Sequence, residues 1–118
     1  MNTPIQVMLV EDNKDYREVV NLAIEEEKDI EIMDQYGTSE IALRSLQSMS
    51  APRPEILLLD LRLPGMSGLD SIRYFREYAP KTKIIILTQS DQEADVLRAI
   101  LLGASGYLLK SARVKEIV

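Results

Sequence analysis

ILLLDLRLPGMSG, residues 56–68, is the stretch of this sequence that decides the fold. Four aliphatic residues run directly into Asp60, and a loop punctuated by Pro64, Gly65 and Gly68 follows. A short aliphatic run that ends in an acid is typical of a buried strand that delivers its carboxylate to the end of a sheet. In open α/β sheets, binding sites form at that end. We therefore predict that Asp60 lies in a functional site and that the other elements are arranged around it.

Other segments of the chain also have the composition of strands. Besides 56–60, the predicted strands cover 5–10, 30–33, 83–87 and 106–109. All but 30–33 are nearly continuous apolar runs, as expected of a parallel sheet that is covered by helices on both faces. The segment 30–33 is interleaved with acids and suits an edge of the sheet.

Between the strands, apolar residues recur with the period of a helix. Asn13 is the predicted N-cap of the first helix, and Ser111 is that of the last. The predicted apolar faces comprise Tyr16, Val19, Val20, Ala23 and Ile24 in the first helix; Ile41, Ala42, Leu46 and Met49 in the second; Leu69, Ile72, Tyr74, Phe75 and Tyr78 in the third; and Leu97, Ile100, Leu101 and Ala104 in the fourth. We expect that the end of the chain truncates the last helix after about two turns. The elements then form a (βα)5 unit, a single domain over residues 1–118.

The composition excludes several kinds of chemistry. The 118 residues include no cysteine and no histidine, so disulfides, thiolate metal sites and histidine-dependent catalysis are ruled out. Any acid, base or nucleophile must be a carboxylate, hydroxyl, lysine or tyrosine. With 14 Lys and Arg against 19 Asp and Glu, the net charge of −5 argues against direct binding of nucleic acid by this domain. The N-terminus shows neither a signal peptide nor a membrane span, so we expect a cytoplasmic domain without membrane contact.

Polar residues stand at the carboxyl ends of four predicted strands. They are Glu11 and Asp12 after the first, Asp60 in the third, Thr88 after the fourth and Lys110 after the fifth. In a parallel sheet these ends share one rim, where three carboxylates repel each other unless a hard divalent cation such as Mg²⁺ binds them. A metal-bridged carboxylate beside a hydroxyl and an ammonium suits phosphoryl transfer. Asp60 is then the nucleophile, Thr88 donates a hydrogen bond, and Lys110 offsets charge on the phosphoryl oxygens.

These residues, together with the stretches DLRLPGMSG and ASGYLLK, carry a resemblance to a known family. They match the acidic pair, acceptor aspartate, hydroxyl and lysine of the receiver domains of bacterial two-component response regulators. Tyr107 matches the aromatic switch residue of that family. The resemblance extends over essentially all 118 residues and is closest to the NarL/LuxR-type branch. It implies a flavodoxin-like (CheY-like), doubly wound parallel sheet of the α/β class with strand order 2-1-3-4-5.

The resemblance also implies roles for individual site residues. Asp60 would accept a phosphoryl group from the phosphohistidine of a sensor histidine kinase, in a self-catalysed reaction that does not make the domain an enzyme. Asp12, Asp60 and the backbone carbonyl of Arg62 would ligate Mg²⁺ directly. Glu11 would act on the metal largely through water.

Thr88 and Tyr107 would form the switch of such a receiver domain. Phosphorylation would draw Thr88 toward the phosphoryl oxygen and let Tyr107 turn inward. The face of helix 4, strand 5 and helix 5 would then change its partners, with a homodimer as one outcome. Members of this branch usually carry a C-terminal helix-turn-helix domain, so we expect transcriptional output through DNA binding by a domain that this chain does not include.

Three alternatives compete with this interpretation. A stand-alone phosphoryl shuttle would need no output domain. A phosphatase of the haloacid-dehalogenase type also uses an aspartate, Mg²⁺, a hydroxyl and a lysine, but it needs a second aspartate two residues after the nucleophile, where this sequence has Arg62. A degenerate receiver without phosphorylation is disfavoured because no site residue is missing. Ser111 stands where much of the family has proline, and we expect a trans peptide there, since a cis bond would cost about 2.5–4 kcal/mol.

Overall fold

A computed structural model of the chain describes residues 4–48, 53–88 and 93–110. The strands in these residues are β1 Ile5–Val10, β2 Ile30–Tyr36, β3 Ile56–Asp60, β4 Lys83–Thr88 and β5 Gly106–Leu109. They pair in parallel in the order β2-β1-β3-β4-β5. The predicted fold class and strand order are therefore confirmed.

Helices connect successive strands in the described part of the chain. They are α1 Lys14–Glu25, α2 Ser39–Ser48, α3 Gly68–Tyr78 and α4 Glu93–Leu102. The side chain of Asn13 accepts a hydrogen bond from Tyr16 N at 3.0 Å, which confirms the predicted N-cap, and Ser67 caps α3 in the same way. The last helix predicted from Ser111, the peptide bond before it, and Met49 lie outside the described residues.

Side chains alternate between the two faces of the sheet, as the two-residue period of a strand requires. Helices α2, α3 and α4 cover one face, where the sheet contributes Met8, Val10, Leu57, Leu59, Ile84 and Ile86 to a buried cluster. Helix α1 packs on the other face, where the buried side chains are Val7, Leu9, Val20, Ile24, Leu58 and Leu87. The sheet is thus doubly wound, and the carboxyl ends of its strands share one rim.

The edge strand β2 is longer than the sequence predicts. It continues from Ile30 to Tyr36 instead of ending at residue 33. Its pairing with β1 shifts register between Val7 and Met8 and then goes on to the end of both strands. An edge strand faces solvent and tolerates polar residues, so its apolar pattern does not mark where it ends.

The helical period predicts that several apolar side chains are buried, but the structure exposes them to solvent. Val19 is 38% exposed and Ile41 is 49% exposed, although both belong to predicted apolar faces. The predicted face of α4 is exposed at Leu97, Ile100 and Leu101. Because α4 is apolar on most sides, its pattern does not define a single face. Among residues 95–102 of this helix, the small Ala99 is the one buried against the core.

Candidate functional site

The predicted site residues lie together at the rim formed by the carboxyl ends of the strands. Asp60 is the last residue of β3, and Thr88 is the last of β4, while Glu11 and Lys110 directly follow β1 and β5. The backbone N–H of Lys110 donates to the carbonyl of Thr88 at 2.8 Å. This bond places the end of β5 beside the end of β4, so four strands present their terminal residues to one place.

Lys110 links the carboxylates of the site. Its Nζ lies 2.5 Å from Glu11 Oε1 and 3.2 Å from Asp60 Oδ2. The strand β4 lies between β3 and β5, so the lysine side chain reaches across a full strand to contact Asp60. The contact with Asp60 is a hydrogen bond between charged groups, and the contact with Glu11 is an ion pair. The convergence of Asp60, Glu11 and Lys110 that the strand ends predict is therefore present.

The carboxylates form a group that suits a hard cation. One oxygen from each of Glu11, Asp12 and Asp60 lies within 4.8 Å of the others. Glu11 and Asp60 are buried, whereas Asp12 is exposed, so the group is open to solvent on one side. Mg²⁺ typically binds through one or two carboxylates and keeps several of its waters. The donor set and its single open side fit such an ion.

A cleft of about 270 Å³ lies over these groups. It is lined by Glu11, Asp12, Asn13, Asp60, Arg62 and Lys110. Because a water molecule takes about 30 Å³, the cleft has room for a hydrated ion beside a phosphoryl group. A larger groove of about 500 Å³ lies between α3 and α4, but it contains none of the strand-end residues.

The charges of the site shift the pKa values of its buried groups. Burial raises the pKa of Glu11, and the nearby Asp60 carboxylate raises it further. Hydrogen bonds from Lys110 and Asn13 N lower it, but the pKa of Glu11 still lies above 4.5. Burial lowers the pKa of Lys110, but its interactions with Glu11 and Asp60 outweigh burial and raise the pKa above 10.5. Lys110 is therefore a charged ammonium at neutral pH and faces the Asp60 carboxylate.

The loop that follows β3 orients the side chain of Asp60 through a backbone hydrogen bond. Arg62 N donates to Asp60 Oδ1 at 3.1 Å, which leaves Oδ2 for Lys110. Gly68 N donates to the Leu61 carbonyl at 3.0 Å and closes the loop onto the start of α3. The predicted metal ligand, the carbonyl of Arg62, belongs to this loop, and its coordination stays a prediction.

The two predicted switch residues lie on adjacent strands. Thr88 is buried at the end of β4, and Tyr107 is 45% exposed in β5. Thr88 pairs with Leu109, so Tyr107 stands two residues before the partner of Thr88. Their roles as a switch and their movement on phosphorylation stay predictions.

Two residues near the site were not identified from the sequence. Lys110 Nζ lies 5.1 Å from the centre of the Tyr16 ring, although the helical period assigns Tyr16 to the core only. Glu40, in the first turn of α2, accepts a hydrogen bond from Met66 N at 3.0 Å in the loop behind Asp60. A helix that follows a strand starts at the carboxyl rim of the sheet. The position of Tyr16 and Glu40 in the first turns of α1 and α2 could therefore have identified both as residues near the site.

Replacing Glu40 with glutamine should remove a pH-dependent contribution to stability. The bond from Met66 N holds the pKa of Glu40 below 4.5. A carboxylate with a lowered native-state pKa stabilises the fold above its unfolded-state pKa and loses this effect as the pH falls through the native value. In urea unfolding, wild type should be more stable than Glu40→Gln at neutral pH, and the two should converge below about pH 4.5. A difference that stays constant over this range would contradict the contact.

Most of the chain matches the model of a known protein family. The model described as "Response regulator receiver domain" matches residues 7–118. Among curated proteins, the nitrate/nitrite response regulator protein NarP of Escherichia coli strain K12 is 37% identical over 110 residues, which cover 93% of this chain and 50% of NarP. NarL of the same strain is 30% identical over 115 residues, covering 98% of this chain and 52% of NarL. The chain thus spans about half the length of the curated relatives it matches.

Solved structures give the same result for the fold. The signal receiver domain of the putative response regulator NarL from Mycobacterium tuberculosis superimposes with a TM-score of 0.86 at 29% identity, over 98% of this chain and 90% of that one. A two-component response regulator of the LuxR family from Aurantimonas sp. SI85-9A1 has a TM-score of 0.86 at 30% identity, with 98% and 80% covered. Both similarities extend over the sheet and the strand ends described above.

Proposed function

Because this chain belongs to the family of response regulator receiver domains, we propose that Asp60 accepts a phosphoryl group from the phosphohistidine of a sensor histidine kinase. Receiver domains of the NarL/LuxR type serve phosphorylation-dependent signalling that controls an output. One observation carries the assignment to Asp60: a lysine ammonium lies 3.2 Å from its Oδ2, beside two further carboxylates. This is the arrangement that a nucleophilic carboxylate and a charged phosphoryl group require.

The transfer is a displacement at phosphorus. An oxygen of the Asp60 carboxylate forms the new O–P bond while the N–P bond of the phosphohistidine breaks, and the electron pair of that bond stays on the imidazole nitrogen. Lys110 offsets charge on the phosphoryl oxygens, and Thr88 donates a hydrogen bond to one of them. Arg62 N, which donates to Asp60 Oδ1, fixes the orientation of the carboxylate before attack.

The direct test of the proposal uses a small phosphodonor in place of the kinase. Incubation with the donor and Mg²⁺, followed by intact-mass spectrometry, should show one phosphoryl group per chain and none when a chelator is present. No mass gain with any donor would contradict the proposal and favour a receiver that binds partners without phosphorylation.

Asp12, Asp60 and the carbonyl of Arg62 would hold the Mg²⁺ ion directly, and Glu11 would act on it largely through water. When bound, the ion supplies positive charge that neutralises these carboxylates and stabilises the phosphoryl oxygens. Burial is the main cause of the raised pKa of Glu11, which means that the buried site disfavours the negative charge of this carboxylate. Added positive charge in the cleft would offset this cost.

Mg²⁺ should raise the melting temperature of the protein because it binds the native site and not the unfolded chain. At ten times its dissociation constant the gain is about 1.4 kcal/mol, or about 5 °C for a domain of this size. The shift should be lost in Asp12→Asn and kept in Asp29→Asn, whose exposed side chain precedes β2 at the opposite end of the sheet. An unchanged melt up to tens of millimolar Mg²⁺, or equal shifts in all three proteins, would contradict the metal site.

The same proposal covers the output of the domain. Phosphorylation draws Thr88 toward the phosphoryl oxygen and Tyr107 inward, and the face that contains α4 and β5 changes its partners, with a homodimer as one outcome. Output is transcriptional, through DNA binding by a helix-turn-helix domain, as the resemblance to the NarL/LuxR-type branch implies and as the similarity to a protein named transcriptional regulatory protein YdfI supports. The domain is a phosphoacceptor switch that catalyses its own modification, not an enzyme that acts on a separate substrate.

Other observations bear on location and on the competing phosphatase. Within residues 4–48, 53–88 and 93–110, no helix is long and apolar enough to cross a membrane. The cytoplasm is part of the proposal and is supported by the absence of cysteine. Arg62 stands where a haloacid-dehalogenase-type phosphatase needs a second aspartate, and the family match is to receiver domains.

A further inference from the structure

The ring of Tyr16 lies against the site without contributing a ligand to it. Lys110 Nζ is 5.1 Å from the centre of this ring and also contacts Glu11 and Asp60. Cations are attracted to the face of an aromatic ring at this distance. Within the described residues, the Lys110 ammonium therefore contacts two carboxylates and one aromatic ring.

The position of Tyr16 is fixed by the same short segment that supplies the acids. Asn13 N donates to Glu11 Oε2 at 3.0 Å, and Asn13 Oδ1 accepts from Tyr16 N at 3.0 Å. Glu11, the N-cap of α1 and the ring thus form one connected unit at the start of the helix. The ring also packs on the buried cluster beneath α1, which holds it in place.

The hydroxyl of Tyr16 takes no part in this arrangement. It is buried and has no hydrogen-bond partner among the residues that the structure describes. Burial raises its pKa above 10.0, so the phenol is neutral at physiological pH. A buried hydroxyl without a partner does not stabilise the fold. The ring, and not the hydroxyl, is therefore the part of Tyr16 that contacts the site.

We propose that Tyr16 is a positioning residue whose ring holds the Lys110 ammonium toward Asp60. This inference rests on the proposed phosphotransfer, in which Lys110 offsets the charge of the phosphoryl group. A lysine side chain is long and flexible, and fixing it in one geometry costs conformational entropy. A bound Mg²⁺ ion would neutralise the carboxylates and would weaken their attraction for Lys110. The contact with the ring does not depend on that charge, so it keeps the ammonium in place for the incoming phosphoryl group.

Two substitutions separate the ring from the rest of the side chain. Tyr16→Phe keeps the ring and removes the hydroxyl, whereas Tyr16→Leu keeps apolar bulk and removes the ring. With a saturating small phosphodonor and Mg²⁺, the phosphorylation rate constant of Tyr16→Phe should stay within about twofold of wild type, and that of Tyr16→Leu should fall about three- to thirtyfold. An unchanged rate in Tyr16→Leu would overturn the proposal. Equal slowing in both variants would also overturn it, because the effect would then belong to the hydroxyl.

A double-mutant cycle tests the contact without any phosphorylation. The midpoint of urea unfolding is measured for wild type, Tyr16→Leu, Lys110→Met and the double variant. Tyr16→Leu should lower the midpoint less in the Lys110→Met background than in wild type, because the cation has already been removed. Equal losses in the two backgrounds would show that Tyr16 only packs in the core and would overturn the proposal.

The two measurements distinguish failure of this inference from failure of the proposed function. If wild type takes up no phosphoryl group, the proposed function fails, and the unfolding cycle alone decides whether the ring holds the ammonium. If wild type is phosphorylated but the cycle is additive or Tyr16→Leu keeps its rate, the role of Tyr16 fails and the function stands.

Discussion

Replacing Asp60 with asparagine should abolish uptake of a phosphoryl group from a small phosphodonor. The amide has nearly the shape of the carboxylate but lacks the nucleophilic oxygen that forms the O–P bond. Asp60 is buried at the end of β3 with its two oxygens committed to Arg62 N and Lys110. Glu11, the other buried carboxylate of the strand-end site, is paired with the same lysine, and substitution of Asp60 should not redirect the reaction to it. Intact-mass spectrometry with Mg²⁺ present should therefore show one added group in wild type and none in Asp60→Asn.

Asp29→Asn is the matched control for this substitution. Asp29 is exposed and precedes β2, at the end of the sheet opposite the site. The control should take up one phosphoryl group as wild type does. Asp60→Asn should remain folded, because it removes one of three neighbouring negative charges, and its melting curve checks this. Continued phosphorylation of a folded Asp60→Asn protein would show that another residue is the acceptor.

Replacing Gly68 with alanine should destabilise the fold by about 2 to 3 kcal/mol and slow phosphorylation as well. A Cβ atom at Gly68 would collide with the backbone carbonyl oxygen of Asp60 and would lie 2.8 Å from the Cα of Leu61. These obstacles are backbone atoms, so no side chain can rotate away to make room. The clash should push apart the start of α3 and the strand end that carries the acceptor carboxylate. Urea unfolding measures the first effect, and the phosphodonor assay measures the second.

Gly37→Ala serves as the control for the same chemical change. A Cβ atom at Gly37 would meet only Arg17 Nη1 at 3.5 Å, an ordinary van der Waals distance to the end of a flexible side chain. Its unfolding midpoint and phosphorylation rate should stay close to those of wild type. Equal effects of the two alanines would mean that a loss of backbone freedom, and not the close approach of Gly68 to Asp60, explains the result.

The strongest sequence signals were those in which composition and position agreed. Continuous aliphatic runs predicted β1, β3 and β5 with their observed bounds, and β4 to within one residue, because strands covered on both faces must be apolar throughout. The acids and the lysine directly after these runs then predicted the rim. The apolar pattern predicted β2 and α4 less well. The edge strand β2 faces solvent on one side, and α4 is apolar on nearly every side, so the pattern alone does not show which of their residues are buried.

The sequence by itself determined the order of elements, the parallel sheet and the residues that stand at its carboxyl rim. These follow from local periodicity and from the rule that parallel strands end on the same side. Only the tertiary structure decided which of these residues touch. The approach of Lys110 to Glu11 and Asp60, the Tyr16 ring beside the ammonium and the bond from Met66 N to Glu40 all join separate elements. Such contacts depend on the length and rotamer of each side chain and on how helices pack on the sheet, and local sequence does not encode these distances.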